Sequence, residues 1–309
     1  PPMPKEEFKS SAATNASSTS GITLGELVEQ YKTHTDSGYQ KLKFAVRKNY
    51  DNLLGHIVKT LGHVRLRDFD ADTIWEAYKG WVDGEKLALG HSMIGKLRLL
   101  CTFGITVLKD EDAIRLSTIL NKIKTPASEG KRTEQLTKEH VLKIRELAHE
   151  AGWHSIAIVQ AFQHDFADKF RQADLIGEWV PLSEPGESNI RNEQGEKWLR
   201  GIKWNQIDDR LILRHMITSG RANEQKMIEV DLKRGAMVLE EINRIPQHHR
   251  VGPIALNEFN GLPWKGTQFR RRWRTVANRA GVPKEIKNFD SGRELPSDEV
   301  ANSRAELAL

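Results

Sequence analysis

A chain of 309 residues, 38% hydrophobic and 29% charged, is long enough for two domains with cores of their own and too apolar to remain disordered. Its 47 Lys and Arg against 42 Asp and Glu leave a net charge of +5 and a pI near 9.2, which favours an acidic partner, nucleic acid before membrane. The single cysteine, Cys101, excludes an internal disulfide or a thiolate metal cluster; with no apolar run near the ~18 residues that span a bilayer and no signal-peptide core in PPMPKEEFKSS, a cytoplasmic protein without membrane contact is expected.

Residues 1–21 are rich in Ser, Thr, Ala and Pro and read as a disordered tail, with too little apolar surface to offset the entropy of ordering. Thr23-Leu24-Gly25-Glu26 has the form of a capping box, followed at helical spacing by Leu27, Val28 and Tyr31. A second amphipathic helix is expected over 41–61, with Leu42, Val46, Leu53, Leu54 and Ile57 inward. Its other side carries Lys41, Lys43, Arg47, Lys48 and Lys59 with little acid, a face suited to phosphates or simply solvated. Helices over 71–82, 87–107 and 113–123 complete an all-helical domain at 22–124, with Ile74, Trp75, Tyr78, Trp81, Met93, Leu97, Leu100 and Ile105 as core.

Pro, Ser and Gly break the periodicity over 125–136, which reads as a linker, and a second domain is expected at 137–309. Thr137 can cap a helix running to about His149 that buries Val141, Ile144, Leu147 and Ala148, and another helix follows from Trp153 towards Phe166. Helical spacing of Phe166, Phe170, Leu175 and Ile176 extends through 162–182 and sets Arg171 at the edge of a core, its guanidinium turned into a cleft. Strand patterns at 211–218 and 227–232 predict a hairpin with a long polar turn over 219–225. Then come a helix over 235–242, a short strand at 253–256, and a helix over 265–280 that buries Phe269, Trp273, Val276 and Ala280 while displaying Arg270, Arg271, Arg274 and Arg279.

Phe170-Arg171-Gln172-Ala173-Asp174-Leu175 resembles the first arginine box of the tyrosine recombinases, the phage integrase family, with Asp174 in place of its glutamate. Ile202-Lys203-Trp204-Asn205-Gln206-Ile207-Asp208 is similar to the Trp-x-x-Ile-Asp segment that follows that box, here displaced by a polar insertion over 181–195. The hairpin, the Arg-rich helix and the turn Ala280-Gly281-Val282 follow in the family's order. The resemblance implies a mainly α fold: an all-α SAM-like core-binding domain followed by an α+β catalytic domain with a small hairpin sheet. It also implies duplex DNA held between the two domains, homo-oligomers on DNA, and cleavage through a phosphotyrosine without metal, ATP or other cofactor. Arg171 then corresponds to the first of several cations needed around the scissile phosphate, whose transition state gathers charge on its non-bridging oxygens. The family's hairpin lysine, a general acid, has Lys226 as its counterpart or Arg221 as an alternative, because Thr218-Ser219-Gly220 stands where that lysine is usual. Lys41, Lys43, Arg47, Lys48, Arg270, Arg271 and Arg274 are the expected phosphate contacts.

Beyond Asn288 the pattern fails. Phe289 and Gly292 stand in place of the histidine and arginine of the family's next box, Arg293 comes one place late, and the remainder, ELPSDEVANSRAELAL, is polar and acidic. All four tyrosines, Tyr31, Tyr39, Tyr50 and Tyr78, precede the linker, so this chain is expected to lack the nucleophile and to be inactive as written. A frameshift after Ser291, a truncation or a recruited regulatory form would each produce this pattern. A DNA-binding or regulatory protein without catalysis is therefore the alternative function. A His-Asp metal phosphohydrolase built on His164-Asp165 with Asp168 and His149 or His154 fits less well, because adjacent helix positions point about 100° apart. His248-His249 reads as a solvated pair in a polar loop.

Overall fold

The computed structural model describes residues 21–83, 86–126, 136–219 and 224–288, which fall into two compact units, Pro1–Gly130 and Lys131–Leu309. The expected tail before Gly21, most of the linker, Arg221 and the segment from Phe289 onward lie outside the described residues.

The first unit is helical: α1 (Leu24–Thr33), α2 (Phe44–Leu61), α3 (Ala71–Val82), α4 (Leu87–Phe103) and α5 (Glu111–Lys122). Caps decide where three of them start. Thr23 and Glu26 form the reciprocal box, and the Asp70 and Asp110 carboxylates accept from the Thr73 and Ala113 amides at 2.7 and 2.9 Å. α4 ends in a wide π-type turn over Gly104–Leu108, and Lys109 then reverses the chain at φ 58°. Any side chain at Gly104 would meet the Ala113 methyl at 2.8 Å, so the close approach of α4 to α5 requires glycine. The helix expected over 41–61 begins only at Phe44. Gly38–Lys41 forms a separate 3₁₀ turn started by the Ser37 hydroxyl, and Val46 is 39% exposed instead of inward.

The second unit is organised around one buried helix. It comprises α6 (Lys138–Glu150), α7 (His154–Asp165), α8 (Gln172–Ile176), β1 (Glu178–Pro181), β2 (Glu196–Leu199), β3 (Ile212–Ser219), β4 (Glu224–Asp231), α9 (Ala236–Arg244) and α10 (Gly266–Arg279). Every residue of α7 from Ser155 to Gln163 is buried, so each of its polar side chains must find a protein partner. The Ser155 hydroxyl donates to Glu258 at 2.9 Å and accepts from the Trp264 indole at 2.8 Å. Gln160 accepts from the Trp273 indole at 2.6 Å, and Gln163 exchanges two bonds with the buried Asn288, at 3.0 and 2.8 Å. A buried ion pair joins α6 to α9: Arg145 Nε donates to Glu241 Oε1 at 2.7 Å, and the His149 ring meets Glu241 Oε2 at 2.8 Å.

The helix expected through 162–182 does not continue. α7 stops at Asp165, and the spacing of Phe162, Phe166 and Phe170 reflects a cluster of three rings, centroids 5.9–6.4 Å apart, packed by the turn that follows. Asp165 instead caps α9, whose own cap position is Gly235: its carboxylate accepts from the Val238 amide at 3.0 Å and from His164 at 3.0 Å. The His164-Asp165 doublet is thereby committed to structure, and among the described residues no group of three His, Cys, Asp or Glu could hold a metal.

The strand pattern was legible in type but short in extent. β3 and β4 pair antiparallel from Ile212↔Asp231 to Ser219↔Glu224, so Gln225 and Lys226 belong to a strand and not to the turn. A second antiparallel ribbon, β1 with β2, closes the insertion at its base, in register from Glu178↔Leu199 to Pro181↔Glu196. The short strand expected at 253–256 is reduced to two single bridges, Lys203↔Pro253 and Leu256↔Pro263.

Replacing Arg145 by Met leaves Glu241 buried with only His149 opposite it, and should destabilise the protein by about 3 kcal/mol in urea unfolding followed by tryptophan fluorescence; a loss under 1 kcal/mol contradicts the assignment. Burial pushes the Asp165 carboxyl up, but the His164 ring and the α9 amides outweigh it and hold the group below its ordinary value. A lowered folded pKa means its contribution is complete above roughly pH 4 and lost as pH falls through the folded value. Asp165→Asn should flatten the stability profile in that acid window and nowhere above it.

Candidate nucleic-acid interface

Arg171 stands at the cap of α8 in extended backbone, φ −89° and ψ 161°, directly after the buried Phe170, and its amide donates to Asp174 Oδ2 at 2.8 Å. Its side chain is exposed, at the edge of the core that Phe170 joins. The turn that ends α7 rotates Phe170 inward, and the next residue therefore faces out. Asp174 works as the cap partner of its own helix.

Gln172 ties this position to two others. Its carbonyl accepts from Arg270 at 3.4 Å on α10, and its amide donates to Asn288 at 2.8 Å. The same Asn288 oxygen accepts from Gln163 of α7, so α7, α8 and the chain at 288 meet through one buried amide, and α10 joins them through Gln172. Beside this junction lies a cavity of about 650 Å³ walled by Arg270, Arg271, Arg274, Lys287 and Asn288. The sequence points only to the arginines: Lys287 and the amides of Gln163, Gln172 and Asn288 carry no motif, and the sole hint is polar residues interrupting the apolar pattern of α7.

Of the five arginines of α10, the four expected on its outer side do different things. Arg270 and Arg271 are exposed. Arg274 is half-buried, stacked on the Trp273 ring at 4.9 Å, and donates to the Pro283 carbonyl at 3.2 Å and to the Ile286 carbonyl. Burial lowers its pKa, with Glu285 opposing. It therefore holds the turn after α10, a structural job the sequence did not show. Arg279 reaches Glu150 at 3.8 Å.

Lys226 is exposed on β4 opposite Ile217. On β3 the His215 ring is buried, 6.4 Å from the Phe170 ring, with Nε2 lacking a hydrogen-bond partner among the described residues. Burial lowers its pKa more than Asp174 raises it, so the ring is held towards the neutral form. No sequence motif marks it.

In the first unit, Lys41 lies in the 3₁₀ turn, Lys43 caps α2, and Lys48 is exposed on its first turns. Arg47 is half-buried and donates to the Leu42 carbonyl at 2.6 Å, so part of the face read as basic is used to close the chain before α2.

No family model and no curated protein matches the sequence. Solved structures do. The chain is similar to a lambda integrase dimer bound to a COC′ core site, with TM-score 0.61 and 14% identity over 94% of this chain and 74% of that one. A lambda integrase tetramer bound to a Holliday junction gives 0.58 and 16%, covering 96% and 80%. The Tn1549 transposon integrase in complex with circular intermediate DNA gives 0.58 and 9%, covering 93% and 88%. The chain has the tyrosine recombinase fold. The mainly helical architecture with a small hairpin sheet expected from the sequence agrees with this fold, though the β1–β2 ribbon was not expected. No helix among the described residues is long and apolar enough to cross a membrane.

The division of labour on α10 can be checked by substitution. Arg274→Ala should cost about 1–2 kcal/mol of stability, since it strands the carbonyls of the 283–286 turn, whereas Arg270→Ala should stay within about 0.5 kcal/mol. Equal effects in urea unfolding would contradict the assignment.

Proposed function

We propose that the chain is a DNA-binding protein of the site-specific recombination and integration type, which grips duplex DNA through phosphate contacts and does not itself form a covalent bond to it. The observation that carries this reading is the cavity beside Gln172 and Asn288, where Arg270, Arg271 and Lys287 converge within a recombinase fold. Exposed guanidinium groups on a firmly packed helix suit a phosphate, since the planar fork bonds two oxygens at once. Arg171, one residue from the Gln172 junction, joins the same end of the unit as the counterpart of the family's first catalytic arginine. The solved structures of similar fold are integrases bound to DNA as dimer and tetramer, which supports assembly of several copies on one site.

The non-covalent part rests on the tyrosines. Tyr31, Tyr39 and Tyr78 are buried in the first unit, with burial pushing the hydroxyls of Tyr31 and Tyr39 up to about 12. Tyr50 lies beneath the Lys96 ammonium, 3.2 Å from its ring centroid. Buried hydroxyls with raised pKa values are poor nucleophiles, and all four tyrosines lie in the first unit, whereas the residues matched to the family's catalytic ones lie in the second. Lys226 or Arg221 would have to serve as the general acid, with Thr218-Ser219-Gly220 standing where the family's lysine is usual. Each missing transition-state contact costs about 3 kcal/mol, roughly a hundredfold in rate.

Fluorescence anisotropy against salt tests the binding. Each neutralised phosphate contributes about 0.9 to the slope of log affinity on log salt, so replacing Arg270 and Arg271 together by Ala should flatten it by about 1.8. Binding insensitive to salt refutes the reading. For the chemistry, a nicked suicide duplex should give no DNA-linked protein on a denaturing gel; a shifted band abolished by Arg171→Ala reveals a nucleophile and overturns the non-covalent reading.

A further inference from the structure

Phe259 is 92% exposed, the most exposed large apolar side chain among the described residues. Its exposure is built in. The loop that carries it is closed by the Leu256↔Pro263 bridge and by the Asn257 amide donating to the Leu262 carbonyl at 2.8 Å. The Asn257 and Asn260 side-chain oxygens accept from the Phe259 and Leu262 amides, both at 3.1 Å, and Gly261 takes φ 68° to turn the chain back. Glu258 anchors the loop to α7 through the Ser155 amide and hydroxyl, at 2.5 and 2.9 Å. These bonds fix the backbone on both sides of Phe259 and so set where its side chain leaves the loop.

The ring overlooks a cavity of about 590 Å³ shared with Asn257, Asn260, Trp264, Gln268 and Arg271. Its composition is specific: an aromatic face, carboxamides and the guanidinium groups of Arg271 and of Arg272, the latter stacked over the Trp153 ring at 4.2 Å. With their oxygens engaged in the loop, Asn257 and Asn260 keep their amide nitrogens as donors. The Arg271 guanidinium has no partner among the described residues, and Arg271 also walls the cavity of the candidate DNA interface, so the two cavities adjoin. None of the other exposed large hydrophobic residues lines this cavity, which argues against an apolar protein contact.

We propose that this cavity receives one unpaired nucleotide of a bound DNA strand, its base stacked on Phe259 and hydrogen-bonded by the carboxamides, its phosphate held by Arg271. Every base offers a π-face to an aromatic ring, whereas a paired and stacked base does not, so the site discriminates by pairing state and not by sequence. Carboxamides can bond the Watson–Crick edge that unpairing exposes.

This inference rests on the DNA-binding reading and is tested with two labelled duplexes, identical except that one carries a single unpaired adenine. Wild-type protein should bind the bulged duplex on the order of tenfold tighter by anisotropy. That ratio should fall to about one in Phe259→Ala and persist in Phe259→Trp, which keeps the stacking face. With 2-aminopurine as the unpaired base, its fluorescence should be quenched on binding to wild type and not to Phe259→Ala. Equal affinity of wild type for both duplexes, or a preference that survives Phe259→Ala, overturns this proposal alone. Failure to bind either duplex overturns the DNA-binding reading and the proposal with it. Self-association in sedimentation that Phe259→Ala abolishes, with the base preference unchanged, assigns the ring to a protein contact and also overturns it.

Discussion

A helix surrounded by protein on every side cannot leave a polar side chain without a partner, and α7 is such a helix. Its Ser155, Gln160 and Gln163 each reach a different element: the 258–264 loop, α10 and Asn288. An unsatisfied group at any of these places would cost about 1–3 kcal/mol, so the three bonds fix the three elements around one axis more firmly than apolar contact does. Hydrophobic burial is tolerant of small shifts, whereas a hydrogen bond is not. The arginine-bearing helix and the aromatic loop inherit their positions from that requirement.

The positive charge of the chain is divided in a way that its total conceals. Several cations act as internal donors. Arg115 closes the carbonyls of Arg67 and Phe69, Arg250 those of Ile242 and Ile245 at the end of α9, and Arg274 those of the turn after α10. Lys197, largely buried, gathers three carbonyls of the insertion at 2.5–3.0 Å. These side chains terminate helices and hold loops, tasks for which a multi-donor cation suits better than a neutral group. The cations offered to a partner are therefore fewer than the composition counts, and their placement matters more than the net charge of +5.

How much of this was legible in the sequence follows from the range of the interactions involved. Capping at Thr23 and Thr137, and the helix over Ala71–Val82, depend on neighbours within a turn or two and were readable as they stand. The Arg-rich helix was readable too, because its apolar stripe has the period of a helix. What failed was periodicity mistaken for continuity. Phe162, Phe166 and Phe170 keep helical spacing across a break, because three rings packing on one another impose the same spacing as a helix face. The roles of Arg274, Asp165 and Asn288 are set by partners 9, 73 and 125 residues away, and nothing in a linear pattern announces them. Residues of one type on one helix face looked equivalent, and burial separated them.

The β1–β2 ribbon brings Pro181 and Glu196 opposite each other in register, while the loop beyond them is held by Lys197 of β2 through carbonyls at Leu182, Glu184 and Gly186. The chain thus leaves and re-enters the fold across a single antiparallel pair, a gap of about 5 Å. The stretch between those two residues is nonetheless fastened to the ribbon, because the buried Lys197 ammonium has its three carbonyl partners there and the Trp198 amide donates to the Ile190 carbonyl at 3.0 Å. A reporter peptide grafted there would have to return three acceptors to Lys197, or be paired with an apolar residue at that position, so this one lysine sets which insertions the ribbon tolerates.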